Sequence, residues 1–183
     1  NKAIEIAHKL DNLNKKRKYL TSELEKKVIG KIERLRIKNE NILPSAIIIS
    51  GNDFHEGIIG IVAGRMKELY NRPVCIISIN KKGVGKGSGR SVLGIPLGKI
   101  IIEALNLKII SSGGGHDMAA GFTIEDSKIS YLNDFIINKI DHLLINGIPR
   151  ASFIASSVLP ISACTYELAD WLETLGPWGT EME

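Results

Sequence analysis

Two short apolar runs on either side of a helical pattern most strongly limit the folds open to this chain. Residues 46–50 are Ala-Ile-Ile-Ile-Ser, and a second run extends from Val74 to Ile79. Charge-poor, β-branched runs of this length are typical of strands buried on both faces. Between them, residues 57–70 predict a helix whose inward side chains are Ile58, Ile61, Val62, Met66 and Leu69. Strand, helix and strand in this order predict the beginning of an α/β sheet.

The pattern continues for about the length of one ordinary domain. A further extended segment is predicted at 85–92, a helix at 97–107, a strand at 120–124 and an amphipathic helix at 128–145. We therefore expect an α/β fold with a mixed β-sheet flanked by helices, in a domain of residues 42–146. Residues 147–183 are expected to begin a further, truncated module, with a strand at 151–160 and a helix at 166–175.

A long helix is predicted before this domain, over residues 2–39. Apolar residues recur there at helical spacing, at Leu10, Leu13, Leu20, Leu24, Val28, Ile32 and Leu35. At 1.5 Å per residue, such a helix is longer than a small domain is wide. We therefore interpret residues 1–41 as an interdomain linker helix. Because the pattern is already helical at Asn1, we expect the chain to be part of a longer protein.

Composition excludes several classes of protein. Of the 183 residues, 44% are apolar and 24% charged, which excludes disordered, collagenous and disulfide-stapled chains. No apolar run approaches the roughly 20 residues that span a bilayer, and the first residues lack the apolar centre of a signal peptide. We expect a cytoplasmic protein without membrane contact. The two cysteines, Cys75 and Cys164, are interpreted as packing residues.

Charge is distributed unevenly along the chain. The net charge is +6 for residues 1–40, +5 for 41–110 and −7 for 111–183. A polyanion-facing surface would account for the basic part, with Lys15, Lys16, Arg17 and Lys86 as candidate nucleic-acid contacts. A solvated charged helix in a lysine-rich proteome is the alternative.

The glycine-rich segment 83–91 matches neither the Walker loop nor the dinucleotide fingerprint. Its residue types still suit phosphate, because glycines let the backbone approach a ligand and Ser88, Arg90 and Ser91 supply two hydroxyls and a guanidinium fork. A flexible hairpin loop without a ligand is the alternative.

A second glycine-rich segment, 111–121, contains His116 directly after three glycines. We predict a tight turn there, whose exposed N–H groups form an anion-binding concavity at Gly114 and Gly115. His116 would donate a hydrogen bond to a phosphate, or it is a structural histidine. No metal site is predicted, because the sequence has no pair of histidines at helical spacing, no carboxylate cluster near a histidine and no close pair of cysteines.

These residues resemble the accessory, substrate-binding domain of the DHH phosphoesterases, and most closely that of the RecJ single-stranded-DNA exonucleases. Residues 114–121 match the superfamily's Gly-Gly-His-x-x-Ala-Ala-Gly signature. Residues 54–65, 72–74 and 87–91 are similar to RecJ proteins in particular, and residues 10–17 resemble their linker helix. Residues 175–179 resemble the approach to the OB-type domain that follows in that family.

The resemblance implies an enzyme whose active site is shared between two domains. A DHH domain absent from this chain would hold two Mn2+ or Mg2+ ions, and the accessory domain would close over single-stranded DNA. Arg90, Ser88 and Ser91 would grip a phosphate near the DNA end, and His116, as the catalytic residue, would reach the scissile phosphate. The implied enzyme releases mononucleotides from the 5′ end in DNA repair and recombination, with single-strand-binding protein as a further partner. This fragment alone is expected to be inactive and to bind no metal.

Two other functions stay open at this point. An oligonucleotide or cyclic-dinucleotide phosphodiesterase of the DHH superfamily would share the Gly-Gly-His segment. A non-catalytic nucleic-acid-binding module would share the basic surface without any metal-binding domain.

Overall fold

The computed structural model describes residues 2–145 and 157–176, and the chain divides into two compact units, Asn1–Arg150 and Ala151–Glu183. The larger unit contains α1 (Lys2–Lys38), β1 (Ile47–Gly51), α2 (Ile59–Tyr70), β2 (Val74–Ile79), β3 (Val84–Arg90), α3 (Leu97–Asn106), β4 (Ser112–His116), β5 (Ala119–Glu125) and α4 (Ile129–Leu143). The smaller unit contains α5 (Tyr166–Thr174). The predicted α/β fold with a long first helix is confirmed.

The larger unit is built on one five-stranded mixed sheet in the order β1-β2-β3-β5-β4. β1 and β2 pair in parallel, which requires the crossover that α2 supplies. The remaining pairs are antiparallel, with Cys75 opposite Gly89 and Arg90 opposite Ala119. β4 and β5 form a hairpin at one edge, in which His116 pairs with Ala119.

Each face of the sheet has its own apolar core. On one face α3 and α4 pack over the sheet, and Ile77, Leu97 and Phe122 are among the buried side chains. On the other face α1 and α2 pack over β1 and β2, and Val62 and Ile76 belong to that core. All residues of β2 are buried, as predicted for a strand covered on both faces.

Only the C-terminal half of α1 packs against the domain. Leu24, Val28 and Ile32 are buried there, whereas Leu10 and Leu13, on the same apolar stripe, are 61% and 54% exposed. None of the helices in residues 2–145 and 157–176 is both long enough and apolar enough to cross a membrane.

Helix α2 begins at Ile59, two residues later than predicted, and its buried side differs in part from the prediction. Leu69 was expected to face inward but is 61% exposed, while Ile59 and Ala63 are buried instead. The helix ends at Asn71, whose φ of 48° is left-handed and turns the chain toward β2. The buried residues Ile59, Val62, Ala63 and Met66 recur at helical spacing, and Leu69 lies outside this stripe.

The described part of the smaller unit, residues 157–176, includes the predicted helix, now α5. Thr165 caps α5 by accepting a hydrogen bond at its Oγ1 from the Leu168 N–H, 3.2 Å away. The strand predicted at 151–160 lies mostly outside the described residues, and 157–160 have no regular structure.

The two cysteines should differ sharply in reactivity. Burial raises the pKa of the Cys75 thiol to about 12, whereas Cys164 is exposed. Because the thiolate is the nucleophile, a thiol reagent at neutral pH should modify only Cys164 in the folded chain and both cysteines in denaturant. Mass spectrometry of the labelled chain measures this. Rapid native labelling of Cys75 would show that the core around β2 is not closed.

Candidate functional site

Half of one sheet face carries no helix in the part of the chain that the structure describes. On the face where α1 and α2 cover β1 and β2, the strands β3, β5 and β4 present a surface that we call the open face. Because side chains alternate between the two faces of a strand, every second residue of these strands points to the open face, and all of these residues are at least partly exposed. They include Lys86, Ser88, Arg90, Ser112, Gly114, His116, Ala119, Gly121 and Thr123.

The glycines of β3 face away from this surface and into the core. A Cβ on Gly89 would lie 2.7 Å from a Leu97 methyl carbon, and one on Gly87 would collide with the Phe122 ring. Residues 83–91 do not form the flexible hairpin loop that was the alternative, and the extended segment predicted at 85–92 is observed as β3. They contain a central strand whose glycines make room for core side chains, and this leaves the longer side chains on the open face.

Two cations of the open face have no carboxylate partner within the described residues. The Arg90 Nη1 donates to the Gly89 carbonyl at 2.9 Å and lies 3.4 Å from the Ser88 Oγ. The Lys86 Nζ donates to the Thr123 Oγ1 at 2.8 Å. Neither side chain belongs to any of the ion pairs found there. Both keep donors available for an anion.

Helix α2 forms one wall of a groove beside these cations. A Cβ on Gly60 would lie 2.9 Å from the Ser88 Oγ and 3.3 Å from the Arg90 Nη2, so a larger residue at position 60 would displace these two side chains. The groove has a volume of about 410 Å³. Its lining comprises Glu56, Gly57, Ile59, Gly60 and Ile61 on one side and Lys86, Gly87, Ser88 and Arg90 on the other.

The segment that leads into α2 is held by contacts at Asp53 and Phe54. The Phe54 carbonyl accepts a hydrogen bond from the Ser78 Oγ at 2.6 Å. Lys27 of α1 forms an ion pair and hydrogen bond with Asp53, and this hydrogen bond lowers the pKa of the Asp53 carboxyl. Lys31 lies 5.2 Å from the centroid of the Phe54 ring. Helix α1 therefore positions the residues that form the groove wall.

Ser91 does not reach the open face. Its side chain is 1% exposed, and its Oγ donates a hydrogen bond to the Ile95 carbonyl at 2.7 Å. The prediction that Ser91 grips a phosphate is therefore corrected, because its hydroxyl is buried in the loop after β3. Ser88 and Arg90 are brought together as predicted.

The segment around His116 was predicted as a tight turn, and it is instead the edge strand β4. Gly115 faces the core side, where a Cβ would lie 2.6 Å from the Ala120 Cα and closer still to the Ala119 carbonyl. Gly114 faces the open side, with no atom within 4 Å of the position of a Cβ. His116 is exposed at the end of the strand. Of the two predicted glycines, only Gly114 borders the open face.

Arg90 and His116 share one row of the open face. Arg90 pairs with Ala119 and Ala119 pairs with His116, so two strand spacings, roughly 10 Å, separate their Cα atoms. In the neighbouring row, Gly121 lies between Ser88 and Gly114. The space between the guanidinium and the imidazole therefore has a floor of small residues and bare backbone.

This floor was missed in the sequence, although a signal for it was present. Residues 119–125 alternate small or polar residues with Ala120, Phe122 and Ile124, which is the pattern of a half-covered strand.

The basic residues Lys15, Lys16 and Arg17 lie on the exposed N-terminal half of α1. Lys15 pairs with Asp11 at 2.7 Å. The contacts that link α1 to the groove wall come from its other half, at Lys27 and Lys31. The structure therefore shows no contact between Lys15, Lys16 or Arg17 and the residues of the open face.

The site does not fit a metal ion. No group of three His, Cys, Asp or Glu side chains comes together in residues 2–145 and 157–176. The open face offers a guanidinium, an ammonium and a hydroxyl, which suit phosphate oxygens and not a cation. We derive no metal-dependent step from these residues.

Fold and site together define an α/β domain with a cation-bordered sheet face. The family model described as the DHHA1 domain matches residues 39–143, more than half of the chain. The chain therefore belongs to the DHHA1 domain family.

Among its relatives are RecJ proteins, each named a single-stranded-DNA-specific exonuclease. The chain is 28% identical to RecJ of Escherichia coli over 176 residues, which are 95% of this chain and 30% of the relative. It is also 28% identical to RecJ of Bacillus subtilis, over 97% of this chain and 22% of that protein. The chain thus spans less than a third of the length of these relatives.

Solved structures of RecJ proteins share the fold. The structure of Thermus thermophilus RecJ in complex with Mg2+ matches 94% of this chain and 25% of its own, with a TM-score of 0.72 and 23% identity. An exonuclease RecJ bound to manganese matches 76% of this chain and 32% of its own, with a TM-score of 0.60 and 26% identity. The resemblance to RecJ that the motifs indicated is confirmed.

Proposed function

We propose that this chain is the substrate-binding part of a single-stranded-DNA-specific exonuclease that acts in the 5′ to 3′ direction. The observation that carries the proposal is the open face, where Arg90 and Lys86 have no carboxylate partner within the described residues and the floor beside Arg90 and His116 consists of Ala119 and the bare backbone of Gly121 and Gly114. The similarity to RecJ proteins over nearly the whole chain supports the substrate class.

Three side chains of the open face then have defined tasks. The Arg90 guanidinium and the Ser88 hydroxyl donate hydrogen bonds to a phosphate near the DNA end. The floor at Gly121 and Gly114 lets the sugar–phosphate backbone lie directly on the sheet. His116 donates a proton or hydrogen bond to the scissile phosphate or its neighbour.

Hydrolysis itself needs a part that these residues do not include. A DHH domain of the same protein would hold two Mn2+ or Mg2+ ions, which activate water for phosphodiester cleavage. RecJ structures that contain Mg2+ and manganese support the choice of metal. The fragment alone would be inactive.

Helix α1 would connect the two domains and set the distance between them. Its exposed N-terminal half offers Leu10 and Leu13 for contact with the DHH domain, and Lys15, Lys16 and Arg17 for contact with nucleic acid. Residues 147–183 would begin an OB-type domain. The function places the protein in the cytoplasm, in DNA repair and recombination, with single-strand-binding protein as a partner.

Binding of a labelled single-stranded oligonucleotide tests the proposal. Arg90→Ala should weaken binding by the present 183-residue chain about 10- to 100-fold, because charge-assisted hydrogen bonds to a phosphate are lost. His116→Ala should weaken it less, by about three- to tenfold. Fluorescence anisotropy at several salt concentrations measures both effects. The plot of log K against log salt has a negative slope, and its magnitude should decrease by about 0.7 for each lost phosphate contact.

Matched controls separate the site from general charge and from folding. Arg34→Ala and His142→Ala remove the same residue types at exposed positions outside the open face, and binding should be unchanged. Equal losses in control and site variants would refute the proposal. Stronger binding of dinucleotides than of longer strands would instead favour a DHH-family oligonucleotide or cyclic-dinucleotide phosphodiesterase.

A further inference from the structure

A second groove adjoins the open face at the β4 edge of the sheet. It has a volume of about 590 Å³ and is lined by Lys99, Ile102, Gly115, His116, Asp117 and Met118. We call it the edge groove. His116 belongs to both surfaces, because it lines this groove and also pairs with Ala119 in the row that leads to Arg90.

The walls of the edge groove are held rigidly together. A Cβ on Gly98 would lie 2.6 Å from the His116 carbonyl oxygen and 2.7 Å from the Gly115 carbonyl carbon, so α3 packs directly on the backbone of β4. The Leu97 N–H donates to the Asp117 carbonyl at 3.1 Å. The backbone of α3 at Lys99 is therefore held close to β4 and to the turn that contains Met118.

The lining combines one cation with exposed apolar side chains. Lys99 is exposed and forms no ion pair with any carboxylate of the described residues, including Asp117 beside it. Ile102 of α3 is 44% exposed, and Met118, in the turn between β4 and β5, is 45% exposed. An ammonium next to two apolar side chains is complementary to a nucleotide, whose phosphate is anionic and whose base has apolar faces.

Size and connection also favour this ligand. The groove lies within the range of roughly 300–1,000 Å³ that holds small organic ligands. The Asp117 carboxylate adds an acceptor for an N–H group of a base. Because His116 joins the edge groove to the open face, a strand that lies on the floor can continue past His116 into the groove.

We propose that the edge groove is a nucleotide subsite for the residue of single-stranded DNA next to the phosphate on the open face. Its base packs against Ile102 and Met118, and Lys99 pairs with its phosphate. This inference rests on the proposed function, and it adds a second point of contact for the strand. Lys99, Ile102 and Met118 were not among the residues that the sequence singled out.

The test is the binding of a labelled oligothymidylate of about twelve nucleotides to the present 183-residue chain. Lys99→Ala should weaken binding about three- to tenfold and lower the salt slope by about 0.7. Met118→Ala should weaken binding about threefold with no change in the salt slope, because it removes apolar contact and no charge. Lys38→Ala is the matched control, since Lys38 is exposed, lines neither groove and forms none of the described ion pairs.

An oligonucleotide with abasic sites distinguishes the base contact from the phosphate contact. The unmodified chain should bind it more weakly than the intact strand, and Met118→Ala should remove most of this difference. If Lys99→Ala and Met118→Ala bind like Lys38→Ala while Arg90→Ala is impaired, the edge groove is no subsite and the proposed function stands. If Arg90→Ala is also unimpaired, both the subsite and the proposed function are refuted.

Discussion

The Gly115→Val variant is expected to lose at least about 3 kcal/mol of unfolding free energy. A Cβ at this position would lie 2.6 Å from the Ala120 Cα and closer still to the Ala119 carbonyl, and these backbone atoms cannot move without separating β4 from β5. For a chain of this size the loss corresponds to roughly 6–12 °C in Tm. Thermal unfolding followed by circular dichroism measures it.

The adjacent residue provides the control for this prediction. Gly114 lies on the same strand, but no atom lies within 4 Å of the position of a Cβ there. Gly114→Val should therefore change Tm by no more than about 2 °C, since valine is favoured in strands. Similar melting of the Gly115→Val and Gly114→Val variants would contradict the close packing of the hairpin.

The elements with a strong apolar pattern could be predicted from sequence. The strand predicted at 74–79 coincides with β2. A short run of β-branched residues between two helical patterns strongly favours a buried strand. Helix α1 was predicted to within one residue for the same reason. Local pattern alone was sufficient in both cases.

The β4 strand could not be predicted in this way. Ser-Gly-Gly-Gly-His has neither β-propensity nor alternation, and glycine is disfavoured in strands. Its conformation depends on pairing with β5 and on the close approach of α3 at Gly98. Both are tertiary contacts, so a turn was predicted where a strand exists.

The candidate site shows the same division between local and tertiary information. Ser88 and Arg90 were singled out by residue type, and strand alternation does place them together. Ser91 has a similar residue type but is turned into the loop that follows, where the Ile95 carbonyl accepts its hydrogen bond. Residue type identifies candidates, and only the fold decides which side of the sheet each one occupies.

The Gly121→Val variant is expected to keep its fold and to lose at least about tenfold in affinity for single-stranded DNA. Gly121 lies in the floor of the open face between Ser88 and Gly114, and the nearest atom to a Cβ there is the Gly87 carbonyl oxygen at 3.9 Å. The exposed position thus has room for a Cβ, and the Tm of the variant should stay the same or rise. The isopropyl group would then occupy the space that a sugar–phosphate backbone needs. Anisotropy and thermal unfolding on the same samples measure both effects.

A pair of smaller substitutions distinguishes blockage from a general effect of added bulk. Gly121→Ala and Gly64→Ala each add one methyl group, and neither position has an atom within 3.5 Å of the new carbon. Only Gly121→Ala should weaken binding, by less than Gly121→Val, because Gly64 lies on α2 outside the groove. If Gly121→Val binds the oligonucleotide as tightly as the unmodified chain, the floor of the open face does not carry the strand. In that case the contacts lie elsewhere, with the basic half of α1 as the next surface to examine, because a strand that lies on this floor would contact the new side chain between Ser88 and Gly114.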